Sequence, residues 1–318
     1  MFDLGTTIAG VRLDPCIMNA SGPLCTTFAE LTDLARSAAG AVVTKSMTLA
    51  PRQGNPEPRY ADLPQGSINA MGLPNLGVDA YCEFSGQLRA LGKPVIASVA
   101  AVEPGELVPA IARAASAAFD LIEANLSCPN LPGHPIIAYD VDALARLLRE
   151  ARAVCHRPLG VKLPPYFDRV HQERVAALLR ETGIDFITVI NSVPNALVID
   201  LEHERPLIHP KGGFGGLGGA FVKPIALANV RAFYELLDGA IPIIGVGGVY
   251  TGRDIAEFLL AGASAVQVGT AYRQEGPAIF ARLAQELASV LAEKRCAAAA
   301  DLVGRLQPLP AAAETLPA

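Results

Sequence analysis

Cys128 stands in the string Asn125-Leu126-Ser127-Cys128-Pro129-Asn130, flanked by amides, a hydroxyl and a proline. A thiol in such a turn, facing cationic groups, can ionise or accept a proton. Cys16, Cys82 and Cys155 lie in apolar surroundings and read as structural. Lys45 and Lys162 each interrupt an apolar run. One such lysine is explained by a stem snorkelling to an edge; two of them, with Asn125 and Asn191, point to a polar site. Glycines at Gly247-Gly248 and Gly269-Thr270 offer bare backbone N–H groups ahead of helical segments, which suits a phosphate. His134, His156, His171, His203 and His209 are scattered without ligand spacing, so no metal site is expected.

These residues must be brought together, and the chain's periodicity says how. Short β-like runs at 16–19, 41–45, 95–100, 121–126, 159–163, 186–191, 241–246 and 265–269 alternate with helical patterns. The helical stretches are 27–39, 76–90, 104–118, 141–154, 170–182, 222–237, 252–261 and 277–294. Eight strand–helix units predict a single α/β domain, a (β/α)8 TIM barrel, with a doubly wound open sheet as the alternative. On a barrel the polar residues converge at the C-terminal strand ends, the face where such folds do chemistry. Ser21, Lys45-Ser46 and Ser98 belong to the first three strands, Asn125–Cys128 to the fourth, Lys162 to the fifth and Asn191-Ser192 to the sixth. Two connections on that face, 48–75 with its five prolines and 192–220 with its glycine-rich end, read as long loops over the mouth. Residues 1–305 are assigned to the barrel and 306–318 to a Pro/Ala-rich tail.

The composition fits a large apolar core. Of 318 residues, 51% are hydrophobic and 18% charged, which excludes disorder for the bulk of the chain. The net charge of −5 gives no basic footprint for nucleic acid. No uncharged run reaches the roughly 20 residues needed to span a bilayer, and no leader pattern opens the chain. Six cysteines without a CxxC spacing suit a reducing compartment, so a cytoplasmic protein is expected. Two chemistries remain open on the residues alone. A flavin-phosphate oxidoreductase would place a lysine by the ring and use the thiol as base. A Schiff-base lyase would use Lys45 or Lys162 as nucleophile, and a non-enzymatic phosphate binder is a third reading.

Several longer strings narrow the choice. They are Met18-Asn19-Ala20-Ser21-Gly22, Thr44-Lys45-Ser46, Gly54-Asn55-Pro56-Glu57-Pro58-Arg59-Tyr60 and Gly66-Ser67-Ile68-Asn69-Ala70-Met71-Gly72-Leu73-Pro74-Asn75. The Asn125–Asn130 string, Gly160-Val161-Lys162-Leu163-Pro164-Pro165-Tyr166-Phe167-Asp168 and Phe214-Gly215-Gly216-Leu217-Gly218-Gly219 follow. In this order, over residues 13–294, the chain resembles the cytosolic, fumarate-using class 1A dihydroorotate dehydrogenases. The resemblance implies FMN at the barrel mouth and oxidation of dihydroorotate to orotate in pyrimidine biosynthesis, with fumarate reduced to succinate. It implies Cys128 as the base for the C5 proton, while hydride leaves C6 for the flavin. Lys162 would sit by the flavin ring and Lys45 between flavin and substrate. Asn69, Ala70, Met71, Gly72, Leu73, Asn125, Asn130, Asn191 and Ser192 would complete the substrate pocket. Ser21, Ser46, Asn125, Ile190, Gly219, Gly247, Gly248, Gly269 and Thr270 would complete the cofactor site. A homodimer is also implied.

The chain departs from that family at Val193-Pro194-Asn195-Ala196, where a proline removes a backbone donor, at Tyr272-Arg273, and at His134 beside the catalytic loop. Pro132-Gly133 permits a hinge in a closing loop at 131–138. Within the family, the alternative is the class 1B enzyme, which passes electrons to NAD through an iron–sulfur flavoprotein. The membrane-bound, quinone-using class fits less well, because its usual base is serine and no hydrophobic extension precedes the barrel pattern.

Overall fold

The computed structural model describes residues 2–128 and 135–309. Asn130, the Pro132-Gly133 hinge, His134 and the tail after residue 309 lie outside the described residues. Eight parallel strands form the central sheet: Ile17–Asn19, Val42–Val43, Val95–Val99, Leu121–Asn125, Leu159–Leu163, Phe186–Val189, Ile243–Val246 and Ala265–Val268. Spatially the first strand pairs with the eighth, and the order then runs back through the seventh and sixth to the second. The strands are aliphatic on both faces because both faces are covered: every residue of Val95–Val99, Leu121–Asn125 and Leu159–Leu163 is buried. Their side chains join one continuous core with the inner faces of the surrounding helices.

The ladder is interrupted between the first and second strands, and a side chain bridges the gap. Asn19 donates through Nδ2 to the Val43 carbonyl at 2.7 Å and accepts the Val43 N–H on Oδ1 at 2.8 Å. The Gly40 N–H adds a bond to the Ile17 carbonyl at 2.8 Å. The amide of Asn19 thus imitates a peptide group and closes the barrel.

Helices Phe28–Arg36, Val78–Arg89, Pro104–Ala115, Val141–Val154, Arg169–Glu181, Lys223–Leu237, Gly252–Ala261 and Ile279–Lys294 make the outer ring. Their starts are set locally. Thr27 with Glu30, and Thr251 with Asp254, form capping boxes, while Asp140 accepts from the N–H groups of Asp142 and Ala143.

The two connections expected as loops instead pair with each other. Tyr60–Leu63, Gly66–Asn69, Gly215–Gly219 and Val193–Ala196 form a four-stranded antiparallel sheet. Gly66 and Gly219 are register partners, and a Cβ at Gly219, whose φ is +99°, would stand 2.2 Å from the Gly66 Cα. Only glycine permits that approach. Pro194 is accommodated because its strand lies at the sheet edge and its register is irregular between Val193 and Ala196.

Replacing Asn19 by Ala should leave buried groups of Val43 unpaired and cost about 2–4 kcal/mol of stability. Urea unfolding checks this; a variant as stable as the parent would show that the seam needs no side chain.

Candidate active site

The C-terminal strand ends and the second sheet enclose a cavity of about 1230 Å³, counted out to its open mouth. Lys45, Asn69, Met71, Gly72, Leu73, Asn125, Cys128, Asn191 and Ser192 all line it. So do Ser21, Ser46, Lys162, Ile190, Gly219, Gly247, Gly248, Gly269 and Thr270. Ala70 does not; it packs with Ile68 and Ile208 in a small cluster, and its carbonyl accepts a bond from Asn55 at 2.8 Å.

Other lining residues were not anticipated, among them Tyr60, Ser67, Gly218, Tyr250 and Arg273. Tyr60 and Ser67 belong to the second sheet, which no strand-end argument reaches. Arg273 lies one turn into Thr270–Glu275, a short helix after the eighth strand, and its guanidinium stands 3.9 Å from the Tyr60 ring centroid.

The polar floor is a connected network. Asn125 and Lys162 are register partners on neighbouring strands, so both side chains rise together. Asn125 donates to Ser46 Oγ at 2.9 Å and accepts from Ser127 Oγ at 2.9 Å. Asn191 donates to Ser127 Oγ at 3.0 Å and, more weakly, to Asn125 Oδ1 at 3.4 Å. Each amide is therefore held in one orientation, as a site that reads donors and acceptors requires. Ser46 also meets Ser21 and Ser98, both at 2.9 Å.

Both lysines are buried, and burial pushes their pKa values below the usual ammonium range. For Lys45 the nearby thiols of Cys25 and Cys128 oppose that shift, so its charge is coupled to Cys128. Its Nζ donates to the Gly22 carbonyl at 2.7 Å, whereas Lys162 Nζ donates to Gln267 Oε1 at 3.0 Å.

At the opposite end the wall is mostly backbone. A Cβ on Gly269 would meet nothing closer than Ala20 Cβ at 3.7 Å, leaving that space to the cavity. The Tyr250 hydroxyl there is buried without a hydrogen-bond partner among the described residues. Ser67 and Thr270 join the second sheet to this wall at 3.2 Å.

Such a barrel, with lysines, amides and a thiol lining one cavity at its C-terminal strand ends, has the architecture of a TIM-barrel enzyme. Residues 3–291 match the sequence profile of dihydroorotate dehydrogenase, and the chain belongs to that family. It is 47% identical over 310 residues to dihydroorotate dehydrogenase A (fumarate) of Lactococcus lactis subsp. cremoris strain MG1363, covering 96% of this chain and 100% of that one. The same figures hold for the enzyme of that name from Lactococcus lactis subsp. lactis strain IL1403. The ligand-free DHODH of Eimeria tenella has the same fold, with a TM-score of 0.81 at 23% identity over 95% of this chain and 91% of that one. Enzymes of this family are flavoproteins.

The cysteines should separate by reactivity. Burial pushes the Cys16 thiol up to about 12 and the Cys25 thiol up to about 11, leaving almost no thiolate near neutrality. Half-buried Cys128 faces the cavity. Brief alkylation of the folded protein at pH 8, mapped by mass spectrometry, should mark Cys128 and spare Cys16 and Cys25. Labelling of Cys16 before unfolding would contradict this arrangement.

Proposed function

We propose that this chain is an FMN-dependent dihydroorotate dehydrogenase of class 1A. It oxidises (S)-dihydroorotate to orotate, on the route to UMP, and passes the electrons to fumarate. The observation that carries the reading is the meeting of Cys128, Lys45 and Lys162 on one cavity beside an oriented Asn125–Ser127–Asn191 cluster. The identity to relatives named for fumarate supports the acceptor. FMN fits the residues present: Gly219, Gly247, Gly248, Gly269 and Thr270 offer a backbone cradle for its phosphate, and Lys162, Ser46 and Ser21 offer polar partners for its ring. When bound, FMN supplies the acceptor for the hydride from substrate C6.

The protein's part is binding and proton transfer. The C5 proton of dihydroorotate is acidified by the neighbouring carbonyl, and the Cys128 thiolate takes it. Lys45, coupled to that thiol, favours its anionic form and offers a counter-charge to the substrate carboxylate. Asn69, Asn125, Asn130, Asn191 and Ser192 pair with the polar edge of the pyrimidine ring, and Met71, Gly72 and Leu73 cover it. Fumarate is a small dicarboxylate, so the same pocket serves the second half-reaction.

We assign this work to residues 1–305 and regard 306–318 as a tail. Among the described residues no helix is long and apolar enough to cross a membrane, and a cytoplasmic location is part of the proposal. A homodimer is supported by apolar side chains exposed on and beside the second sheet: Leu197, Ile199, Leu201, Phe214 and Phe221. Leu201 is 84% exposed in the single chain.

Purified protein should be yellow, lose its colour anaerobically with dihydroorotate, and regain it with fumarate. Cys128→Ala should slow the bleaching about 10²–10⁴-fold. Turnover seen only with NAD and an added iron–sulfur subunit would overturn the fumarate assignment. A colourless protein trapped by borohydride on a carbonyl substrate would overturn the whole reading. Leu201→Glu should shift the mass in light scattering from dimer to monomer; a parent protein that is already monomeric removes the dimer.

A further inference from the structure

Glu123 occupies the middle of the fourth barrel strand, fully buried and two residues below Asn125. It does not line the cavity, so the mechanism above leaves it without a task. A carboxylate in this position is costly unless its oxygens are bonded. Three side chains meet it: Thr188 Oγ1 at 2.7 Å, Gln267 Nε2 at 3.0 Å and Ser98 Oγ at 3.3 Å.

Gln267 ties this group to the cavity. Its Nε2 faces Glu123 while its Oε1 accepts from Lys162 Nζ at 3.0 Å. Turning the amide over would set its NH2 against the ammonium and its oxygen against the carboxylate, so the two charges select one orientation. Lys162 therefore has a counter-charge one amide away. Burial works against its ammonium, and the Glu123 charge works for it.

We propose that Glu123 is a positioning residue for the redox chemistry: through Gln267 it orients Lys162 and sustains its positive charge, and so raises the reduction potential of the flavin beside it. The inference rests on the reading that FMN binds next to Lys162. Reduced flavin carries more negative charge than oxidised flavin, so a fixed ammonium favours the reduced form.

Glu123→Gln tests this with almost no change in shape. Its amide oxygen, set in the place of Oε2, still accepts from Thr188 and Gln267 while its NH2 faces the Ser98 hydroxyl, so the counter-charge is what Lys162 loses. Equilibration of the FMN-loaded protein with reference dyes should show the reduction equilibrium falling about tenfold, or ~30 mV for a two-electron couple. FMN affinity, read from flavin fluorescence quenching, should stay within about twofold, since Glu123 touches no cavity surface. In a Lys162→Met background, Glu123→Gln should lower the potential no further.

Removing a buried negative charge that did not act through Lys162 would instead raise the potential. A rise, or no change, with FMN still bound overturns the role of Glu123 alone. A parent protein that binds no FMN overturns this inference together with the cofactor reading. Should Glu123→Gln fail to fold, Gln267→Met cuts the same connection while keeping the carboxylate. It should lower the potential in the same direction, and an unchanged value overturns the inference.

Discussion

Eight parallel strands enclose a site only when the first and last elements of the circuit are sealed, and here the seal between Ile17–Asn19 and Val42–Val43 rests on the Asn19 side chain, helped by the backbone bond from Gly40 to Ile17. Asn19 supplies the donor and the acceptor that a ladder would have supplied, at 2.7 and 2.8 Å. A buried peptide group left unpaired costs more than most single contacts give back. Sealing the seam with an amide therefore satisfies the backbone and holds the adjacent strand ends in place. Ser21 and Ser46, which follow those strands, then lie 2.9 Å apart at the cavity floor.

Below that floor the barrel is not purely apolar. Glu123 can only accept when ionised, and that gives direction to the hydroxyls around it. Ser98 donates to Glu123, which leaves Ser46 to donate to Ser98 and to accept from Asn125. A second branch passes through Gln267 to Lys162. One buried carboxylate thus orients an amide and an ammonium that open on the same cavity. Networks of this kind favour one arrangement when fully satisfied, and a fixed arrangement is what a site needs before its ligands arrive.

Much of the scaffold was legible in the chain. The strand expected at 159–163 is Leu159–Leu163, and the helices expected at 141–154 and 252–261 are Val141–Val154 and Gly252–Ala261. Their apolar periods and caps are local signals, so local reading suffices. Of the residues expected at strand ends, Lys45, Asn125, Lys162, Asn191 and Thr270 converge on one cavity, whereas Ser98 is buried against Glu123. The second sheet was not legible. Gly215–Gly219 has no alternation to read, and its partner Gly66–Asn69 follows a proline-rich stretch, so both segments look like loops until they meet. Tyr60, Ser67 and Arg273 were missed for the same reason, because they reach the cavity from the sheet and the helix that cover it. Ala70 sits within a motif whose neighbours line the cavity, yet strand alternation turns its side chain to the small cluster on the other face.

The sequence by itself determined the eight-fold repeat, the polarity of the strand ends and the strings that mark the family, because each depends on neighbours a few residues apart. Tertiary structure alone decided which of those groups touch. Asn69 meets Gly216 across 147 positions, and Gln267 meets Glu123 across 144. The first contact exists only once the second sheet pairs and the second only once the barrel closes, since each event fixes the register between strands that share no local sequence signal. The thiol, the lysines and the amides can be read one by one from the chain. Their orientation depends on the closed barrel and the buried carboxylate inside it.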